Sequence, residues 1–317
     1  MYNGLPACVL IILLFFTGPS FSQNPDTWYA DTDKETGLTG FRDSTGNLKL
    51  PQRYYTSVRR FDNIIGVLED KGERMEGYYL LKNGRKVGHD SLFMYDNTPD
   101  CEKEGVIRFT DRQTDKTGCF GINGNVVIPA EYDYLSQFNN GFAVALKGAI
   151  KVCSEKRYNP DDPCEHWMFS GGQTMLIDLE NKVLVEDFKD TFLLDWNSVE
   201  ITSDAGDTNI RESFRGVNGL YYSFVNHEKY FKNIFLPELI NNLTAENLID
   251  NCYPIIVHWE EKNGWIFSDR NHIINNNLKV IRSRFELLKN KNSNYFFSTG
   301  GLNKFIFEGP EFLKYFD

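Results

Sequence analysis

Between residues 36 and about 205 the chain alternates short apolar runs with polar, turn-forming clusters. Alternation over so few residues reads as strand rather than helix. Asn-Gly stands between such runs at 83–84, 123–124, 140–141 and 218–219, and again at 263–264. Both residues tolerate a positive φ, which a type I′ turn demands at its two central positions. The pattern predicts a succession of tight hairpins. From about Val217 it changes. Residues 221–225 read as a strand, and Tyr230, Ile234, Phe235, Leu239, Ile240 and Leu243 then follow at helical spacing around Pro237. Thr244 can cap a short helix over 245–249. A strand over 253–259 turns at Asn263-Gly264 into 265–267. Ile273, Ile274, Leu278, Ile281, Phe285 and Leu288 form one stripe, which predicts a helix over 269–289 capped by Ser268 or Asp269. Lys289 and Lys291 lie where its macrodipole favours cations. Short strands at 295–298 and 305–308 complete the pattern. The expected fold class is mainly β, an array of antiparallel β-hairpin repeats followed by a small α+β C-terminal domain with the long helix packed across its sheet.

A longer period lies over the hairpins. One segment runs Gly40-Phe41, Gly46-Asn47-Leu48-Lys49-Leu50-Pro51, Tyr54, Phe61, Ile65-Gly66-Val67. Another runs Gly121-Ile122, Gly124-Asn125-Val126-Val127-Ile128-Pro129, Tyr132, Phe138, Phe142-Ala143-Val144. Looser copies begin at Gly77 and near Met175, so the starts lie 37, 44 and 54 residues apart. Periods of this size mark repeat arrays. Each unit is a few short strands that cannot bury an apolar face alone, so neighbours must stack. The Tyr and Phe recurring in each unit read as core plugs, with an aromatic ligand-binding stripe as the other reading.

These residues resemble the WG-repeat family, whose unit reads roughly Trp-Gly-(apolar)-Ile-Asp-x-x-Gly-x-x-(apolar)-Ile-Pro-x-x-Tyr-Asp, then a Phe and a Gly-(apolar)-Ala-x-Val strand. The best match runs from Phe120-Gly121-Ile122 through Ile128-Pro129-Ala130-Glu131-Tyr132-Asp133 to Phe138 and Asn140-Gly141-Phe142-Ala143-Val144. The signature Trp is absent. Thr39, Glu76, Phe120 and Thr174 precede the key position, and Met175 replaces Gly in the fourth copy. The resemblance covers about half of the chain. It implies a stacked β-repeat protein of the kind exported by bacteria, from a family to which no single molecular function attaches.

Residues 7–16 form a ten-residue apolar run. As a helix it would rise about 15 Å, too short for a bilayer core of ~30 Å but right for a signal peptide. Thr17-Gly18-Pro19 ends the run, and Ser20 and Ser22 suit cleavage before Gln23, although the leader carries no Lys or Arg. The expected organisation is a signal peptide over 1–22, a degenerate β-repeat region over 23–215 and an α+β domain over 216–317. No later stretch is long and apolar enough to span a membrane, so the mature chain should lie in a periplasm or outside the cell. Export permits disulfides. Cys153 and Cys164 flank a polar loop containing Pro160 and Pro163, and a bridge there would contribute about 2–3 kcal/mol. Cys101 with Cys119 is a weaker pair. Cys252 is left over and reads as a small buried hydrophobe.

The 317 residues carry 34 Lys+Arg against 44 Asp+Glu, a net charge of −10. That balance, with no basic block, argues against nucleic acid and anionic membranes, and favours a cationic or neutral partner. The aromatic share of 15% is too high for a disordered chain. The 30 Asn are partly used in turns. Five His make a multi-histidine metal centre improbable, and Cys153, Cys164, Glu165 and His166 match no zinc spacing. Asp161-Asp162 reads as a solvated loop. There is no phosphate loop or nucleophile elbow, and no metal or cofactor is expected. His258 and Glu260 share one face of a strand and form the one candidate acid–base pair, with a polar surface pair as the simpler reading. His227 and His272 fall near helix starts. Three functions fit: a non-catalytic binding protein for an envelope protein, peptide or glycan; an enzyme with a site between the two regions; and a structural envelope component.

Overall fold

The computed structural model describes residues 27–95, 97–153, 167–189, 191–260 and 262–288. The expected leader, the strands at 295–298 and 305–308, Asp161-Asp162, and Cys164 of the expected Cys153–Cys164 bridge lie outside the described residues. The fold is mainly β: apart from one 3-10 turn at Thr191–Leu193, strands carry the described chain to Asn226, and α-helices enter from His227. Two compact units form. One is the chain up to Phe109 with Gly121–Asn125; the other is Thr110–Phe120 with the chain from Val126 onward.

In the first unit, β1 (Trp28–Thr32), β2 (Thr39–Asp43), β3 (Leu48–Tyr55), β4 (Arg60–Phe61), β5 (Ile64–Asp70), β6 (Met75–Leu81) and β7 (Lys86–Val87) make one sheet. Its order is β4-β1-β2-β3-β5-β6-β7. The short β8 (Met94–Tyr95) and β9 (Thr98–Pro99) pair separately, and β10 (Val106–Asp111) follows. Phe41, Tyr54, Val58, Phe61, Ile65, Val67, Tyr78 and Leu80 form the core. The recurring Tyr and Phe are therefore plugs in this unit.

In the second unit, β11 (Lys116–Gly121) and β12 (Val126–Tyr132) form a hairpin. The next four strands, β13 (Tyr134–Leu135), β14 (Phe142–Cys153), β15 (Trp167–Asp178) and β16 (Val183–Glu186), form a sheet in chain order. Then β17 (Leu194–Thr202), β18 (Arg211–Arg215) and β19 (Tyr221–Asn226) pair in the order β17-β19-β18. Leu176, Val185, Phe188, Leu194, Tyr222 and Phe224 make the core beneath. Since β19 pairs with both β17 and β18, a sheet crosses the expected boundary at 215/216, and the change to helix comes at His227.

After β19 the chain is helical over 227–241. It runs through α1 (His227–Tyr230), a wide π turn at Phe231–Phe235 and α2 (Leu236–Asn241). The helix α3 (Ala245–Asp250) is capped by Thr244, whose hydroxyl accepts from Asn247 N–H. The hairpin of β20 (Ile255–Glu260) and β21 (Gly264–Asp269) leads into α4 (Arg270–Leu288). Its cap is Asp269, which accepts from the N–H groups of Asn271 and His272. The expected stripe turns inward: Ile274 joins Leu239, Leu243 and Leu248, with Leu278, Ile281, Phe285 and Ile256 of β20 against them.

The hairpins share one register. In β2–β3, Thr39 faces Tyr54, Phe41 faces Leu50 and Arg42 faces Leu48. In β11–β12, Thr117 faces Tyr132, Cys119 faces Ile128 and Phe120 faces Val126. Each residue lies 78 positions after its counterpart, and both hairpins shift register at the same two places. The first shift brings a bare glycine against backbone. A Cβ on Gly40 would lie 2.5 Å from the Leu50 carbonyl oxygen, and one on Gly118 2.5 Å from that of Ile128. The structural counterpart of Gly40 is thus Gly118, with Thr117 before it, not Phe120-Gly121 as the spacing suggested. In the second copy the counterpart is Tyr78, preceded by Gly77. Where Tyr78 or Met175 holds the place, the first shift is missing. Leu176 facing Val185 and Ile177 facing Val183 retain only the second, and Tyr79 facing Val87 with Leu80 facing Lys86 retain neither.

The turns also differ from expectation. Type I′ geometry occurs at Asn140-Gly141, where φ is 53° and 81° and Asn139 and Phe142 exchange both backbone hydrogen bonds. It recurs at Glu104-Gly105, with φ of 53° and 79°. The turns at Asn83-Gly84, Asn123-Gly124 and Asn218-Gly219 place only the Gly at positive φ. There Gly84 N–H donates to the Leu81 carbonyl and Leu81 N–H to the Arg85 carbonyl. This is a type I turn closed by a one-residue bulge. Asp43–Gly46 and Asp178–Asn181 close the same way, Asn181 taking a φ of 63°. An Asn at the second turn position needs no positive φ, so Asn-Gly alone did not separate the two types.

The strand preceding each hairpin is equally regular. Trp28 faces Asp43, Ile64 faces Leu81 and Phe142 faces Asp178, each opposite the first residue of the following turn. β1 thus stands where β5 and β14 stand. The weaker expectation for Cys101 and Cys119 fails: both keep thiols, Cys101 exposed and Cys119 buried within β11. Gly118→Ala should lower unfolding free energy by about 2–3 kcal/mol, because backbone cannot withdraw as a side chain can. Urea denaturation of both proteins checks this, and an unchanged midpoint would show that the close approach is not needed.

Candidate functional site

Apart from His258 and Glu260, the described residues singled out from sequence lie on separate elements. His258 and Glu260 lie on β20, their backbones opposite Ile266 and Gly264; their side chains lie outside the described residues. His227 opens α1, and His272 is on the first turn of α4 beside Asn276. Cys252 is half-buried against the Leu239 cluster, where burial pushes its thiol pKa up. It fits a packing residue better than a nucleophile.

Among the described residues, a dense array of titratable groups lies in the first unit and was not anticipated. Glu69 near the end of β5 is buried. One carboxylate oxygen accepts from the Tyr78 hydroxyl at 2.6 Å and meets the Lys71 and Lys86 ammonium groups at 2.8 and 3.1 Å. The other is 3.4 Å from Arg53 Nε. Burial opposes the Glu69 charge, but the hydrogen bonds from Lys71, Tyr78 and Lys86 outweigh it and hold the carboxyl down at about 2. Burial and the bond to Glu69 push the Tyr78 phenol well above its ordinary range. Lys86 also lies 4.1 Å over the Tyr78 ring, and Arg53 5.0 Å over Tyr54. Glu76, opposite Glu69 on β6, pairs with His89 at 3.1 Å. Near neutral pH Glu69 stays ionised and Tyr78 protonated. Neither is poised for proton transfer, which calls for a pKa near the working pH.

The second unit builds the same clamp with the charges exchanged. Glu131 precedes Tyr132 as Arg53 precedes Tyr54. Lys147 pairs with Glu131 at 2.6 Å and lies 5.7 Å over the Tyr132 ring. The Tyr132 hydroxyl donates to Asn181 Oδ1 at 2.7 Å, and the Asn181 amide donates to Glu131 at 3.0 Å. Burial first, and the Glu131 charge second, raise the Tyr132 phenol to about 12. Next to it Asp133 pairs with Lys116 and accepts from Ala149 N–H at 2.8 Å.

Two further carboxylates, buried Asp100 and half-buried Glu102, secure the first unit. Asp100 grips Arg108 through Nε at 2.9 Å and Nη2 at 2.7 Å, and Arg108 stacks 4.0 Å from the Phe93 ring. Glu102 accepts from the backbone N–H groups of Asn63 and Ile64 and from the Asn63 amide. Neither carries a motif, so spacing could not have found them. Among the described residues no group of three or more His, Cys, Asp or Glu is gathered closely enough to hold a metal ion. No helix there is long and apolar enough to cross a membrane.

The family model for the WG containing repeat matches residues 118–149. The match opens at Gly118, the glycine that the hairpin register identifies, and spans β12, β13 and the first part of β14. The match is consistent with a repeat-based protein and falls on one unit of the array. Comparison with curated proteins returns no match.

Glu69 has an ordinary value of 4.5 and a folded value of about 2. Its contribution is complete above pH ~5 and is lost as pH falls from about 4.5 through about 2. Glu69→Gln should cost about 2–3 kcal/mol at pH 7 and flatten the stability profile over that acid range. Urea midpoints measured from pH 7 to pH 3 check it, and parallel wild-type and variant profiles would refute it.

Proposed function

We propose that the chain is an exported, non-catalytic binding protein whose contact surface is its β-repeat array. The observation that carries this reading is how the repeats vary. Inside, hairpins 78 positions apart keep the same buried Thr–Tyr pair and the same glycine contact. Toward the surface, equivalent places change character, as exposed Arg53 over buried Glu69 becomes half-exposed Glu131 with exposed Lys147. A frame held constant beneath a surface that changes sign is the economy of an interaction scaffold. The clamps at Tyr78 and Tyr132 hold both phenols protonated rather than poise them, which suits holding a surface in shape. The partner is an envelope protein, peptide or glycan.

Export follows from the leader over 1–22. It would place Cys153 and Cys164 in an oxidising compartment, and we assign them as a pair on sequence grounds. Mass spectrometry of envelope fractions should find a chain starting at Gln23 with a Cys153–Cys164 linkage that reduction releases. An uncleaved cytosolic chain would overturn both assignments. For binding, the mature chain is used to capture partners from its own envelope extract. Leu48 and Val126 occupy one repeat position and are 55% and 53% exposed. Leu48→Asp with Val126→Asp should remove a partner that wild type retains. A partner set unchanged by these substitutions, or none at all, would count against the array as contact surface.

A further inference from the structure

The strands β14 and β15 run for 12 residues each, and their two halves differ. The near half is inside a sheet. Tyr134 and Leu135 flank β14 at Leu146 and Ala145, and β16 flanks β15 from Met175 to Ile177. Ala143, Ala145, Leu176 and Ile177 are buried there. The far half, Ala149–Cys153 with Trp167–Gly171, has only itself: no other described strand pairs with it. It is nonetheless apolar. Ile150 is 65% exposed, Met168 55% and Trp167 47%. A two-stranded ribbon is marginal in water unless something covers it.

The two edges of this ribbon are not alike. On the β14 edge, the Asp133 carboxylate takes the Ala149 N–H at 2.8 Å, and Lys151 adds a charge held by Asp115 at 2.5 Å. Capping and a lysine are the usual means of keeping a strand edge from pairing. On the β15 edge, Trp167-Met168-Phe169-Ser170-Gly171-Gly172 holds no charge and no proline. The direction of its backbone groups follows from the cap. Ala149 N–H points away from β15, so Ala149 and its partner Gly171 form a pair whose polar groups face outward. By alternation Phe169 and Trp167 do the same. Three residues in steps of two thus offer outward N–H and C=O groups.

We propose that this edge pairs with the same edge of a second copy of the chain, antiparallel about a two-fold axis through Phe169. Self-pairing fits the chemistry. A two-fold axis at Phe169 sets Phe169 opposite its own copy and Trp167 opposite Gly171, so outward groups meet outward groups at every step. Met168 then lies opposite Ser170 of the copy, on the face that also carries Ile150. An uncharged strand is also a place where two chains of net charge −10 can approach with least repulsion. Salt should therefore strengthen the dimer.

Sedimentation of the mature wild-type chain over a wide concentration range should show a monomer–dimer equilibrium. Its dissociation constant should fall between ~0.05 and ~0.5 M salt. Met168→Lys with Ser170→Lys sets lysines opposite lysines and should raise that constant roughly tenfold or more, with circular dichroism unchanged. As a second reading, Met168→Cys with Ser170→Cys should give a reducible crosslinked dimer on mild oxidation beyond any seen in wild type, since facing residues of this kind lie within disulfide reach. A wild-type chain monomeric at every concentration and salt would overturn the proposal. So would a lysine variant that dimerises as wild type does.

Discussion

The β2–β3 and β11–β12 hairpins depend on one close approach. A glycine Cα on the first strand lies against the carbonyl of the residue before a proline on the second. No side chain fits, since a Cβ there would come within 2.5 Å of that oxygen. The proline has no N–H to leave unpaired where the ladder is interrupted. The interruption lets the second strand shift, and that shift brings Tyr54 opposite Thr39 and Tyr132 opposite Thr117. Each Tyr is then buried, and on β3 it faces Glu69 of the next strand. Loss of the glycine to Tyr78 or Met175 is matched by loss of the shift. The degenerate copies are hairpins that solved the same problem with a plainer ladder.

Polar groups consolidate what the glycine permits. The buried Glu69 is kept ionised by several donors, and the buried Asp100 is gripped by Arg108, because a charge removed from water is tolerable only when it is fully paired. The exchange of Arg53/Glu69 for Glu131/Lys147 shows that the clamp requires opposite charges beside a tyrosine, not a particular order of them. That freedom lets sequence drift without disturbing the fold.

The repeat period, the hairpins and α4 were legible because they follow from spacing: alternation, turn dipeptides and the Ile273-to-Leu288 stripe. The register was harder. Gly121 and Gly118 both precede Gly124, and only the cross-strand contact with Ile128 tells which one the fold needs. Turn type was hidden because Asn-Gly serves two geometries, and Glu104-Gly105 escaped notice because Glu rarely takes a positive φ. The change of period near residue 215 falls between β18 and β19, which pair in one sheet. Glu69, Asp100 and Glu102 have no local signature, since burial and partners from distant strands define them. The one chemical pair read from sequence, His258 with Glu260, lies on β20 with its side chains outside the described residues.

The placement of β1 bears on how such a chain can change length. It stands as β5 and β14 do, ahead of a hairpin whose own third strand is still to come. The repeating piece of structure is therefore offset from the repeating piece of sequence: a seam in one falls in the middle of the other. A duplication or deletion of one whole sequence repeat would splice strand to strand inside an existing sheet. Copy number in this architecture is thus free to vary by recombination.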